Sequence, residues 1–186
     1  MKYFNILIFL YIIFLISCGN NKDLNNVKAD SLLLKTIKYP PSLFYLKSDS
    51  VLVDFKSDSI QKYKFKFIAT IDANCSKCIL GKLNKIDSVF ENYLFKNNEH
   101  CISIYILNVK TEDLDYFLYS YAPMIKAKGL ILIDLNYDFE IKNNLISNEH
   151  ETKYFLVDHK DNIIVYGNPL NDSKIFKLYN NKISTQ

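Results

Sequence analysis

The sequence predicts an α/β domain in which strands and helices alternate over residues 63–186. Three observations carry that expectation. Apolar runs of strand length recur along the chain, at 65–71, 102–109, 130–134, 154–158 and 163–166. Between the early runs lie stretches whose apolar residues return every three or four positions, the period of a helix face. The switch from the first such strand to the first such helix falls on a Cys-Ser-Lys-Cys motif, Cys75 to Cys78. Composition agrees with a folded chain: 49% of the 186 residues are hydrophobic and 14 Tyr and 13 Phe are present, so there is ample apolar surface to bury. The formal net charge is only +3, and the lysines are interleaved with Asp and Glu. That pattern lacks the clustered basic surface of a nucleic-acid binder, so no nucleic-acid partner is expected.

Each element has its own signal. Tyr63, Phe65 and Phe67 alternate with Lys62, Lys64 and Lys66, and Ile68 to Ile71 continue apolar into Asp72, which reads as a strand entering a core. Ile79, Leu83, Ile86, Phe90 and Tyr93 follow at spacings that place them on one helical stripe, so the Cys pair sits where strand turns into helix. Residues 102–109 read as a second strand and 111–126 as a helix with Leu114, Phe117, Leu118, Tyr121 and Ile125 inward. Pro123 should kink or end that helix. A buried strand at 130–134 precedes an irregular polar stretch, two strands at 154–158 and 163–166 flank a turn at 159–162, and 172–183 closes the chain as a helix.

The N-terminus is read as an address. Lys2, an apolar run from Ile6 to Ile16 and then Ser17 form a secretory signal over residues 1–17. The run is shorter than the roughly 20 residues a membrane-spanning helix needs. Leu15-Ile16-Ser17-Cys18-Gly19 resembles the lipobox of bacterial lipoproteins. That resemblance implies cleavage before Cys18, acylation of its thiol (palmitate being a typical chain) and a membrane-anchored protein facing the periplasm or the cell surface. Residues 18–62, polar and broken at Pro40-Pro41, are read as a tether and N-terminal extension, with a helix and a short strand or hairpin that pack onto the main domain.

Cysteine arithmetic then isolates the chemistry. With Cys18 lipidated, Cys75, Cys78 and the odd Cys101 remain. A bridge across two residues closes so small a loop that it stabilises little, so the value of the pair is chemical. A thiol at the first turn of a helix faces unsatisfied backbone N–H groups and the positive end of the helix dipole, both of which favour thiolate. Cys75 is the expected nucleophile, Lys77 adds positive charge nearby, and Cys78, one turn inside, is the expected resolving thiol. Cys101, opening an apolar strand, reads as a packing thiol, and His100 and His159 as surface residues.

From Tyr63 onward, Phe67-Ile68-Ala69-Thr70-Ile71-Asp72-Ala73-Asn74-Cys75-Ser76-Lys77-Cys78, Leu132-Ile133-Asp134, Tyr154-Phe155-Leu156-Val157-Asp158 and Gly167-Asn168-Pro169 resemble the thioredoxin-like lipoproteins and membrane-attached thiol-disulfide oxidoreductases of Gram-negative envelopes. The resemblance implies a thioredoxin-like three-layer fold with a central mixed sheet flanked by helices. It also implies thiol-disulfide exchange with envelope protein thiols or disulfides, catalysed by Cys75 and Cys78 without a cofactor. Two departures stand out. The chain has no Trp to precede the first Cys, and Thr152 occupies the position where the family places a cis-Pro facing the pair. Other readings therefore stand beside the catalytic one: a structural bridge, half of a zinc site completed by His100 and Cys101, or a non-catalytic thioredoxin-fold module that binds a protein partner. Such a module could also take copper on Cys75, Cys78 and His150, two thiolates and an imidazole being suited to that metal.

Overall fold

The computed structural model describes residues 32–48, 50–73, 76–96, 98–145 and 152–184, with the backbone alone for 76–78. Residues 34–186 form one compact unit. Its centre is a seven-stranded sheet. In chain order the elements are β1 (Phe44–Leu46), β2 (Leu52–Asp54), β3 (Phe65–Asp72), α1 (Ser76–Val89), β4 (Cys101–Asn108), α2 (Leu114–Ser120), β5 (Leu130–Asp134), α3 (Asp138–Lys142), β6 (Lys153–Val157), β7 (Ile163–Tyr166) and α4 (Ser173–Ser184). Across the sheet the strands run β2-β1-β5-β4-β3-β6-β7. β3 lies parallel to β4, and β4 to β5, while β1, β2, β6 and β7 pair antiparallel with their neighbours. The mixed sheet flanked by helices is the architecture expected from the element order.

Alternation along the strands sends side chains to two faces. On the first face Phe67, Ala69 and Ile71 of β3, Tyr105 and Leu107 of β4, Ile133 of β5 and Leu156 of β6 form one cluster with Leu83 and Ile86 of α1, Phe117 of α2 and Tyr179 of α4. Aromatic contacts tie it together: Phe67 stacks on Phe90 with ring centroids 3.5 Å apart and meets Tyr179 edge-on at 6.0 Å. Fully burying each such side chain stabilises by roughly 1.5–3 kcal/mol.

The second face is covered differently. Residues 34–37 run beside the start of β7, where Leu34 N–H donates to Ile163 O at 2.8 Å and Ile37 N–H to Asp161 O at 2.8 Å. The chain then crosses to the opposite edge and enters β1. Along that crossing Tyr39 meets Phe55 and Phe139 with ring centroids 5.8 and 5.9 Å away. Asn143, just after α3, exchanges hydrogen bonds with the backbone of Lys38, accepting from its N–H and donating to its O, each at 2.8 Å. The hairpin expected in the extension is thus β1–β2, built into the sheet edge beyond β5.

Four local expectations are corrected. The Lys alternation does not continue to Lys66, which is fully buried and ion-paired with Asp161 at 3.2 Å. The helical stripe stops before Tyr93: residues 90–94 form a wider π turn, which rotates Tyr93 out to 71% exposure and brings Leu94 into the core instead. The helix expected over 111–126 is shorter, one α-helical stretch, Leu114–Ser120, between two 3-10 turns, because Pro123 can donate no helical N–H. The polar stretch after β5 contains the short helix α3, whose free N–H groups at Asp138 and Phe139 are accepted by the Asp134 carboxylate at 3.1 and 2.9 Å. Asp134 itself is buried, and desolvation raises its pKa against the lowering effect of those same bonds.

Candidate functional site

The parallel strands end together at one edge of the sheet, where Asp72 of β3, Asn108 of β4 and Asp134 of β5 lie in register. Such carboxyl ends are where ligand and active sites of open α/β sheets gather. β3 carries the chain there, and Ala73 N–H donates to Asn108 O at 2.9 Å, fixing the exit from the strand. α1 begins at Ser76, the residue after Cys75. The helix is anchored by Ile79, Leu83, Ile86 and Phe90, all with no exposed surface. Its first amides have no partner within the helix, as at any helix start. Cys78 and Lys77 belong to this first turn by their backbone. Cys75, His150 and Cys18 lie outside the described residues, as do the side chains of Lys77 and Cys78.

Thr152 immediately precedes β6, and Lys153 of β6 pairs with Thr70 of β3. Thr152 therefore sits at the end of β3 that leads into the Cys motif, half-buried.

Beneath this edge, on the second face, lies a polar cluster that sequence reasoning missed. Lys153 Nζ donates to Glu140 Oε2 at 2.7 Å, and Asn108 Nδ2 donates to Glu140 Oε1 at 3.0 Å. All three side chains are buried. Asn108 Oδ1 and Thr70 Oγ1 are buried beside them without a hydrogen-bond partner among the described residues. The Tyr137 hydroxyl donates to Asp72 Oδ1 at 3.4 Å. A charge buried in this way persists only because it is paired and hydrogen-bonded. The signal that could have found the cluster is weak: a Lys opening an otherwise apolar strand and a Glu in the polar stretch before it.

Cys101 is elsewhere. It pairs with Phe65 at the start of β3, whereas Asn108 pairs with Asp72 at its end. Seven residues of strand separate the two ends, about 23 Å. Cys101 and the exposed His100 therefore lie at the opposite end of β3 and β4 from Ala73 and the start of α1. Burial pushes its thiol up from 9.0 to about 12, with the charge of Lys64 opposing. It is half-buried rather than sealed in the core. Among the described residues no group of three or more metal-ligating side chains comes together, and none of the helices is long and apolar enough to cross a membrane.

No protein-family model and no curated protein sequence matches the chain. Solved structures do. A candidate protein disulfide isomerase from Bacteroides thetaiotaomicron superposes with a TM-score of 0.54 at 15% identity, covering 83% of this chain and 91% of that one. A candidate thiol-disulfide oxidoreductase from Bacteroides vulgatus gives 0.53 at 16% identity over 82% and 94% of the two chains. The mitochondrial 2-Cys peroxiredoxin of Plasmodium falciparum gives 0.52 at 14% identity over 83% and 98%. At these identities the likeness establishes the fold: the chain has a thioredoxin-like fold.

Proposed function

We propose that the protein is a lipid-anchored thiol-disulfide oxidoreductase of the bacterial envelope, acting on protein thiols or disulfides through Cys75 and Cys78. The observation that carries the reading is the coincidence of a Cys-x-x-Cys motif with the junction of β3 and α1 at the carboxyl edge of a thioredoxin-like sheet. In the reducing direction the Cys75 thiolate attacks a client disulfide. A Cys75–client bond forms as the client S–S bond breaks, and one client thiolate leaves. Cys78, losing its proton, then attacks the Cys75 sulfur, forming the Cys75–Cys78 disulfide and releasing the second client thiolate. Two electrons pass to the client, whose two thiolates take up two protons, and the reverse sequence oxidises a dithiol. Lys77 and the helix start favour the Cys75 thiolate. Acylated Cys18 supplies the membrane attachment, since acyl chains contribute about 0.8 kcal/mol per buried methylene.

The experiment is alkylation of the reduced protein near neutral pH. Iodoacetamide should modify Cys75 well before Cys78 or Cys101. Cys75→Ser should abolish disulfide reduction, and Cys78→Ser should accumulate mixed disulfides. Full activity in Cys75→Ser would remove the mechanism.

Thr152 in place of Pro favours one second reading, a non-catalytic module that holds a protein partner or copper on Cys75, Cys78 and His150. Equal, slow alkylation of all three thiols, with no exchange against glutathione, would leave that reading the better one.

A further inference from the structure

The second face of the sheet changes character at its carboxyl edge. Further in, Phe155 of β6, Ile68 of β3 and Ile104 of β4 lie side by side in register, all with no exposed surface. At the edge the same strands turn polar: Lys153 faces Thr70, and Asn108 is the next residue of β4 on that face after Ile106. Lys153 Nζ reaches Glu140 Oε2 at 2.7 Å, and the other carboxylate oxygen accepts from Asn108 Nδ2 at 3.0 Å. Glu140 is itself held, because Asp134 accepts from the first N–H groups of α3 and Asn143, just after the helix, bonds to the backbone of Lys38. Thr70 Oγ1 and Asn108 Oδ1 stay buried without a hydrogen-bond partner among the described residues. Apolar side chains of similar volume close such a face at no loss of stability, and further along β6 they do. What the charged pair adds at the edge is direction, at a cost in unsatisfied polar atoms.

The part of the chain that it directs is the start of β6. β7 pairs with β6 over Phe155 to Val157, and Gly167 N–H ends that ladder on Tyr154 O at 2.9 Å. Lys153 and Thr152 come before this stretch, and Thr152 is half-buried at the end of β3 that leads into the Cys motif. We infer that the buried Lys153–Glu140 pair holds the Thr152 backbone where an extended client segment reaches the Cys motif, a role that rests on the oxidoreductase reading for its client. Both charges lie on the second face, whereas α1, with Cys78 in its first turn, packs on the first. The pair therefore acts through Thr152, one peptide bond from Lys153, and not on the thiols. Lys153 and Glu140 are positioning residues, and their loss weakens client binding while thiol reactivity is kept.

The test compares two substrates on the full protein purified in detergent, with glutathione as the reductant. One is a synthetic peptide closed by one disulfide, whose backbone must dock; the other is hydroxyethyl disulfide, which has no backbone to dock. The variant is Lys153→Met with Glu140→Gln, since removing both charges spares the fold where removing one leaves the other buried alone. Its KM for the peptide should rise several-fold, while kcat, the rate with hydroxyethyl disulfide and the alkylation rate of Cys75 stay as in the parent. Lys153→Arg, which can still pair with Glu140, should keep the parent's KM. An unchanged KM in the double variant overturns the inference. An equal loss on both disulfides overturns it too, because the pair would then act on the thiols. If the urea midpoint of the double variant falls, Glu140→Gln alone decides by the same comparison. A parent that reduces neither disulfide removes the oxidoreductase reading instead, and amide hydrogen exchange then decides the placement. Exchange at Thr152 and Lys153 should be several-fold faster in the double variant with Val157 unchanged, and equal exchange overturns it.

Discussion

The two faces of the central sheet are closed by different physics. On the first, Phe67, Tyr105 and Leu156 meet α1 and α4 through apolar and aromatic contact with scarcely a charge among them. On the second, Lys66 pairs with Asp161 and Lys153 with Glu140, and the cover is a length of mostly irregular chain, residues 34–62 together with α3. Apolar burial is non-directional, so a regular helix with the right stripe suffices to seal the first face. An irregular cover cannot supply a stripe, and the second face is fixed instead by directional bonds. Asp161 shows this well: its carboxylate accepts from Lys66, from Tyr39 at 3.4 Å and from Gln61 at 3.1 Å, joining β3, the crossing segment and the chain just after a 3-10 turn at Ser57–Ile60 at one point. Burial and the Asp161 charge together push the Tyr39 hydroxyl well above its ordinary pKa, so it stays a donor.

The comparison is broken most severely by putting a charge on the apolar face. Leu83 has no exposed surface and belongs to the apolar cluster of the first face. Leu83→Asp should cost about 5 kcal/mol or more, from lost packing and an unpaired buried charge. Equilibrium unfolding by urea reads it, and an unchanged midpoint would refute the placement of α1. On the second face the telling change is the removal of one partner. Lys66→Ala should destabilise by about 3–5 kcal/mol, since Asp161 is left charged and buried. The double variant Lys66→Met with Asp161→Asn should recover most of that loss, because a buried pair contributes little net once both desolvation costs are removed. If the double variant is as unstable as the single one, the pair is not the source of the effect.

This difference between the faces also explains what could be read from the chain. The first face was legible because its elements obey a period: Ile79, Leu83, Ile86 and Phe90 recur at helical spacing, and β5 was located to the residue from its apolar run. The second face is built from residues whose types usually mean solvent. Lys66 follows Lys62 and Lys64 in an alternation that marks an exposed side, and nothing local announces that Asp161, 95 positions later, will meet it. Asp87 was hidden for the same reason: within an amphipathic helix it reads as surface, yet it accepts from Tyr105 Oη and Gly129 N–H, each at 3.1 Å. Gly129 is required there, since a Cβ would stand 2.5 Å from the Tyr105 ring. Of the candidate site, the strand-to-helix junction at the Cys motif was legible from the change of period, while the Glu140–Lys153 pair beneath it depends on contacts between elements distant in sequence.

A smaller test sharpens the boundary of the apolar stripe. Through the π turn, Leu94 is buried at 6% exposure and Tyr93 faces solvent. Leu94→Ala should cost about 2–4 kcal/mol, whereas Tyr93→Ala should stay within about 0.5 kcal/mol. Thermal unfolding of the two variants distinguishes them. The reverse order would mean that the α-helical stripe runs unbroken to Tyr93.

The smallest expected effect concerns Cys101, which lies at the far end of β4 from the Cys motif and partly joins the apolar face. Desolvation raises its pKa from 9.0 to about 12, because the neutral thiol is favoured where the thiolate would lose water, and the charge of Lys64 only partly opposes this. The sign follows directly. With the folded pKa above the unfolded one, the folded state holds the proton more tightly, so its contribution to stability is complete below about pH 9 and is lost as pH rises toward about 12. Cys101→Ala should therefore flatten the alkaline fall in stability slightly while leaving the profile between pH 6 and 8 unchanged in slope, as roughly expected for a thiol that stays protonated there. Iodoacetamide should also reach Cys101 slowly in the folded protein and rapidly after unfolding in urea, at the same pH. Rapid alkylation in the folded state would show that the thiol is neither shielded nor shifted, and would return it to consideration as a third reactive cysteine.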